Sequence, residues 1–289
     1  MSEQARFDVA VVGAGIAGLT AATVAAGQGA RVIAYDQLAP GGQLINIGAV
    51  TGYPGLADKT TGPDLAGALL ETAMTAGVEI GYTEVTGLDD GFTLHTLDGP
   101  VAARTVVVAT GRTPGRLAVD DAESWVGRGL SECASCDGPL FAGKPVAVVG
   151  EDEWAAAEAV ELAEFAERVT VLVPGAVRWS PVTESRLAAN PKVEVRAGAS
   201  VVGLRGDGAL TGLRLEGNGG AGGDELAVAG VFVYLGQRRR DGLLDGLAVD
   251  EPGLFCAGDV RPDSTPYLLS AAADGLRAGL AAAEFAGSG

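Results

Sequence analysis

Cys133-Ala134-Ser135-Cys136-Asp137-Gly138 places two cysteines one helical turn apart, with a carboxylate directly after them. That arrangement suits thiol–disulfide exchange. A thiolate must form to attack a disulfide, and the departing thiol must collect a proton. A zinc site is a poor alternative. One Cys-x-x-Cys pair, the remote Cys256 and the single histidine, His95, make a poor tetrahedral set. Three cysteines in 289 residues do not make a disulfide framework either. Cys256 reads as a small buried hydrophobe.

A second kind of chemistry is written in glycine. Gly13-Ala14-Gly15-Ile16-Ala17-Gly18 follows an apolar run over residues 7–12 and opens a small-residue helix predicted over 19–27. A strand over 31–35 comes next, closed by Asp36. Strand, glycine turn, helix, strand and acidic residue form a dinucleotide-binding unit. The glycines let the backbone approach a pyrophosphate at the positive end of the helix. Asp36 can accept from a ribose 2′-hydroxyl and repels a 2′-phosphate, so FAD or NAD fits better than NADP.

The elements that must position these residues repeat one pattern. A second unit starts with a strand over 145–149, a helix over 153–168 and a strand over 169–173. On that helix Glu158, Glu161, Glu164 and Glu167 form a stripe that reads as a solvated face, opposite Val160, Leu162, Phe165 and Val169. Another buried strand, 105–109, ends in Thr110-Gly111, and residues 231–235 and 254–257 complete the strands. Residues 218–224 read as a loose hairpin loop and 268–285 as a final Ala/Leu helix. His95 sits in an alternating strand over 92–96 and reads as a surface residue. The fold expected is α/β, with two Rossmann-like nucleotide-binding domains (three-layer ββα/βαβ), the second inserted into the first. Residues 1–112 and 239–289 would form the discontinuous FAD-type domain, and residues 113–238 the inserted domain with the Cys-x-x-Cys pair.

Composition narrows the rest. The chain is 47% hydrophobic with 45 glycines, as suits an α/β protein rich in tight turns. The net charge of −17 argues against sequence-independent nucleic-acid binding. No apolar run reaches membrane-spanning length, and no apolar signal region precedes the first strand, so a cytoplasmic location is expected. Arg238, Arg239 and Arg240 form either a basic docking patch or a plain solvated loop.

Several segments together resemble the low-molecular-weight thioredoxin reductases and the related flavoprotein subunit of alkyl hydroperoxide reductase. They are VVGAGIAGLTAA from Val11, PGGQL from Pro40, GYPG from Gly52, VVVATGRTP from Val106, CASCDGPLFAGKPVAVVG from Cys133 and GLFCAGDV from Gly253. They run in family order over nearly the whole chain. The resemblance implies FAD held by Gly13, Gly15, Ala17 and Gly18, by Asp36, Gly42 and Gln43, by Thr110 and Gly111, and by the Gly258-Asp259 pair. It implies that Cys133 and Cys136 exchange electrons with the flavin, that Asp137 is the acid/base beside them, and that the protein is a homodimer.

The resemblance fails at three places. The second turn reads Gly150-Glu151-Asp152-Glu153-Trp154, with acids where NADPH-using relatives have glycines and Trp154 where they have a small residue. Acidic side chains there stabilise the helix but repel a pyrophosphate. Where relatives carry arginines for a 2′-phosphate, this chain has Val173-Pro174-Gly175, which leaves no fork of donors. Pro266-Tyr267 replaces an Arg-Gln pair; Tyr267 reads as a flavin contact or, equally, a core aromatic. Three functions remain open. One is an NADPH-independent reductase of thioredoxin or a similar disulfide, fed by a carrier such as ferredoxin. The second is a dithiol oxidase that forms a substrate disulfide and passes electrons to oxygen. The third is a non-catalytic flavin-binding protein. Asp137 matches the reductases, whereas the oxidases tend to carry a histidine there.

Overall fold

The structure is a computed structural model that describes residues 7–50, 53–57, 59–89, 91–217, 224–245 and 251–288. It divides into two compact units, residues 1–113 with 239–289, and residues 114–238. The predicted loop at 218–224 lies outside the described residues except for Asp224, and Gly52 of the GYPG segment lies outside them too.

In the first unit the parallel strands run in the order Glu79–Gly81, Val32–Tyr35, Phe7–Val12, Gly99–Val108 and Leu254–Cys256. Val12 pairs with Tyr35 on one side and Val108 on the other, so the central strand ends where its neighbours end. The strand predicted at 105–109 is longer than expected. Its first half pairs antiparallel with Thr93–Thr96, which pairs in turn with Val85–Leu88. Gly99-Pro100 at its start hid that half from a reading by hydropathy.

Small residues decide how closely the helices approach. Ile16–Gly27 is mostly Ala and Gly, and it packs against the final helix, Leu268–Gly287. A Cβ at Gly275 or Gly279 of the final helix would overlap the carbonyl oxygens of Ala17 and Ala21. The buried core between them is therefore alanine-rich, with Leu19 and Val107 filling the space toward the sheet.

The second unit has a five-stranded parallel sheet in the order Val193–Ala197, Arg168–Val173, Pro145–Gly150, Gly230–Tyr234 and Leu130–Ser131. The strand Pro145–Gly150 feeds the helix Glu153–Phe165, whose Ala155, Ala156, Ala159 and Leu162 are fully buried. A separate antiparallel sheet is built from Ala199–Asp207, Ala209–Gly217 and Asp224–Ala227. The short helix Ala134–Asp137 packs on the helix Glu153–Phe165. Among the described residues, no helix is long and apolar enough to cross a membrane.

Candidate functional site

The first glycine turn lies at the carboxyl end of the Phe7–Val12 strand, where open α/β sheets bind ligands. Gly13 has φ +101°, a conformation that favours glycine, and a Cβ there would run into the Ala109 carbonyl. A Cβ on Gly18 would overlap the Gly13 carbonyl oxygen. Gly15 is different: only the Gly42 Cα, 3.8 Å away, stands near where its Cβ would be. That gap lies in a cleft of about 700 Å³.

Most of the predicted cofactor residues line this cleft. Gly13, Gly15 and Ala17 come from the turn and its helix, and Gly42 and Gln43 from the short helical turn Gly42–Asn46. Asp36, Thr110, Gly111 and Asp259 complete the set. Gly18 and Gly258 are not on the wall. A Cβ on Gly258 would lie 2.7 Å from the Ala17 Cβ, so this glycine lets two wall segments close up. Asp36 accepts from the Ala14 N–H at 3.2 Å and from the Leu38 N–H at 3.1 Å, which fixes its carboxylate beside the turn. Burial pushes the Asp259 carboxyl up, against the Ser264 hydroxyl (3.1 Å) and the charge of Arg112.

Arg112 was not singled out from the sequence, although it sits in the VVVATGRTP segment. Its Nε donates to the Asp259 carbonyl at 2.9 Å, and its own carbonyl accepts from Gln43 Nε2 at 3.2 Å. It thus ties two loops across the cleft. Thr83, Glu84 and Thr86 also line the cleft, and no motif marked them. The dimensions and polar groups fit FAD: an open backbone approach over Gly15, and carboxylate acceptors at Asp36 and Asp259.

Tyr267 is not a core aromatic. It precedes the final helix, is 72% exposed and does not line the cleft. The arginine patch also changes on inspection. Arg239 pairs with Asp241 at 2.9 Å, and Arg240 lines the cleft and donates to Gln37 Oε1 at 3.1 Å. His95 is a surface residue, 2.7 Å from Asp89. Cys256 is half-buried rather than buried, and burial pushes its thiol up.

Cys133 and Cys136 are joined as a disulfide, with Cα atoms 5.4 Å apart. Cys133 caps the short helix: its Sγ accepts from the Cys136 N–H at 3.2 Å. Asp137 closes the same turn and is half-buried. Beneath the turn stands Glu158, which the sequence placed on a solvated face. That expectation is wrong for Glu158 and Glu161, which are half-buried; Glu164 and Glu167 are exposed. Glu158 accepts from the Ala134 N–H (3.2 Å), Trp154 Nε1 (3.1 Å) and the Tyr234 hydroxyl (2.6 Å). Two of these donors come from other elements, and they face that side of the helix inward; Trp154 is on the same helix, one turn earlier.

The second turn is occupied by its own side chains. Asp152 caps the helix through the Ala155 N–H at 3.1 Å. Glu153 accepts from the Ser180 N–H and from the Thr183 hydroxyl (2.6 Å). Glu151 pairs with Arg178 at 3.2 Å and lies against Gly175. A guanidinium does therefore remain near this turn, contrary to the sequence reading, but it is bound to Glu151. Trp154 packs on Tyr234, ring centroids 5.1 Å apart, at the carboxyl ends of the two central strands.

Two dinucleotide-type folds, one with a cleft suited to FAD and one bearing a Cys-x-x-Cys disulfide, define a flavoprotein disulfide oxidoreductase. The chain belongs to the pyridine nucleotide-disulphide oxidoreductase family, whose profile matches residues 7–275. Within it the chain is thioredoxin reductase-like. The thioredoxin reductase of Treponema pallidum (strain Nichols) is 32% identical over 297 residues, spanning 96% of this chain and 97% of the relative. That of Listeria monocytogenes is 32% identical, over 96% and 93%. The Lactococcus lactis thioredoxin reductase structure (FR conformation) superposes with a TM-score of 0.90 at 27% identity, covering 98% of this chain and 100% of that one. The T. acidophilum thioredoxin reductase gives 0.86 at 28%, over 96% and 98%.

Proposed function

We propose that this chain is an FAD-dependent thiol–disulfide oxidoreductase whose physiological electron donor is not NADPH. Gly13, Gly15, Ala17, Gly18, Asp36, Gly42, Gln43, Thr110, Gly111, Gly258 and Asp259 would hold or shape the FAD site. FAD, when bound, supplies a two-electron store. Reduction of the Cys133–Cys136 disulfide takes two electrons and two protons. A thiolate of the pair then attacks a substrate disulfide, and the second cysteine resolves the mixed disulfide. Asp137 hands a proton to the departing thiol. The substrate class is a thioredoxin-like protein or a small disulfide, and the protein works as a cytoplasmic homodimer. Leu269, Leu276 and Leu280 support the dimer: they form an exposed apolar stripe along the final helix.

The observation that carries the NADPH-independent reading is the self-occupied second turn. The Ala155 N–H at the start of the helix is engaged by Asp152, and Arg178 is engaged by Glu151. Trp154, at the start of the helix where NADPH-using relatives carry a small residue, packs on the buried Tyr234. A carrier such as ferredoxin would then supply the electrons. A second reading, a dithiol oxidase that uses oxygen, gains from the arginines: Arg239 and Arg240 have partners of their own, which weakens a docking patch for an acidic carrier.

Anaerobic flavin absorbance separates these readings. NADPH, reduced ferredoxin and dithiothreitol are added separately to the purified holoprotein. Bleaching by ferredoxin but not NADPH is expected. Bleaching by NADPH within seconds would refute the donor assignment. Reduction by dithiothreitol alone, reversed by air with peroxide release, would favour the oxidase.

A further inference from the structure

The Glu158 carboxylate is bonded to the N–H that follows Cys133, which sets a negative charge beside the cysteine turn. Glu158 is acceptor to three donors, two from other elements and one, Trp154, from the preceding turn of its own helix. Tyr234 belongs to a central strand and is 1% exposed. Burial and the neighbouring Glu158 charge push its hydroxyl far up, so it remains a proton donor to Glu158. Trp154 is braced against Tyr234 and aims its indole N–H at the other carboxylate oxygen. The third donor is the Ala134 N–H, one peptide bond from Cys133.

That last contact matters chemically. A Cys-x-x-Cys pair at the start of a helical turn draws thiolate stability from the first backbone N–H groups. Here the Cys136 N–H reaches Cys133 Sγ, but the Ala134 N–H is spent on a carboxylate. The other ionisable groups on these elements are also acidic. Glu132 and Asp137 belong to the cysteine segment, and Glu161 follows Glu158 on the helix, where burial pushes its carboxyl up.

We propose that Glu158, locked by Tyr234 and Trp154, is a positioning residue that disfavours the Cys133 thiolate and so makes the Cys133–Cys136 dithiol a stronger reductant. A negative neighbour raises the free energy of the thiolate form and leaves the disulfide unchanged. The reduced pair then gives up its electrons more readily. The proposal rests on the reading of Cys133 and Cys136 as the working dithiol. It does not depend on which donor reduces the flavin.

The test uses reduced holoprotein, with Cys133 alkylation by iodoacetamide followed across pH by peptide mass spectrometry. Glu158→Gln is expected to lower the Cys133 midpoint by about one pH unit. At pH 7 the thiolate fraction rises about tenfold, and lower nucleophilicity trims the rate gain to about three- to fourfold. At pH 9 the equilibrium with a dithiothreitol buffer shifts up to about tenfold toward the dithiol, or about 30 mV. Glu158→Asp, which keeps the charge, should retain the wild-type midpoint. Tyr234→Phe and Trp154→Phe should each move it partway, and they serve if Glu158→Gln does not fold. Identical midpoints in folded wild-type and Glu158→Gln protein would overturn the proposal. Failure of the dithiol reading looks different: Cys133→Ser would keep full disulfide turnover.

Discussion

Gly18 and Glu158 show what single residues can and cannot announce. Gly18 was legible because only glycine fits where a Cβ would overlap the Gly13 carbonyl. Gly18→Ala should destabilise the first unit by about 1–3 kcal/mol and weaken flavin retention, measured by urea unfolding and by the flavin-to-protein absorbance ratio. A fully flavinated variant of wild-type stability would contradict this packing argument. Asp36→Ala should leave the Ala14 and Leu38 N–H groups without their acceptor and weaken FAD binding by about 1.5–3 kcal/mol, read by flavin fluorescence titration. Glu158 was illegible for a physical reason. Its i+3 spacing with Glu161 marks a face of the helix, but the direction of that face is set by Tyr234, which lies 76 residues further along the chain. Tyr267 was equally undecidable, since an aromatic side chain carries no sign of whether its site is covered.

At the scale of the element, the helix Glu153–Phe165 combines a self-supplied cap with a crowded acidic side. Asp152→Ala should cost about 1 kcal/mol through loss of the Ala155 contact, measured by thermal or urea unfolding. Glu161 gives a pH signature. Burial, then Glu158 and Glu164, raise its carboxyl. A raised folded value means that its contribution is most favourable at low pH and is lost as pH rises through that value. Glu161→Gln should therefore match wild type at pH 4 and become relatively more stable toward pH 7. Urea midpoints at the two pH values decide this, and a gain confined to pH 4 would reverse the sign. The central strands of this unit and the helix Glu153–Phe165 were legible from their hydropathy, whereas the helix Pro181–Ala189 and the strands Val193–Ala197 and Ala199–Asp207, polar and half-exposed, were not. The extra half of the Gly99–Val108 strand was not, because its pairing with Thr93–Thr96 is set by tertiary contact.

For the whole molecule, the fold class could be read because each glycine turn sits between an apolar strand and a small-residue helix, and local pattern and topology agree. The assembly and cofactor were read from likeness, and they carry their own tests. Leu276→Glu with Leu280→Glu places charge on the exposed stripe of the final helix. If the proposed homodimer closes on this stripe, sedimentation shows a dimer for wild type and a monomer for the double variant; an equal mass for the two would refute that interface. Stripping FAD should lower the unfolding free energy by about 4 kcal/mol relative to protein with free FAD at a thousand times its Kd. Equal melting of the two forms would mean that the cleft contributes little to the fold.

The turn at Gly150 has a consequence for engineering. Each of its side chains has a dependent. Glu151→Gly would leave Arg178 without its ion pair, Asp152→Gly would remove a helix cap, and loss of the Trp154 indole would deprive Glu158 of a donor. None of these three substitutions is free of a structural penalty. The turn is thus wired into the stability of its own helix and of the loop around Arg178, and a change made there for the sake of a ligand is also a change to the fold.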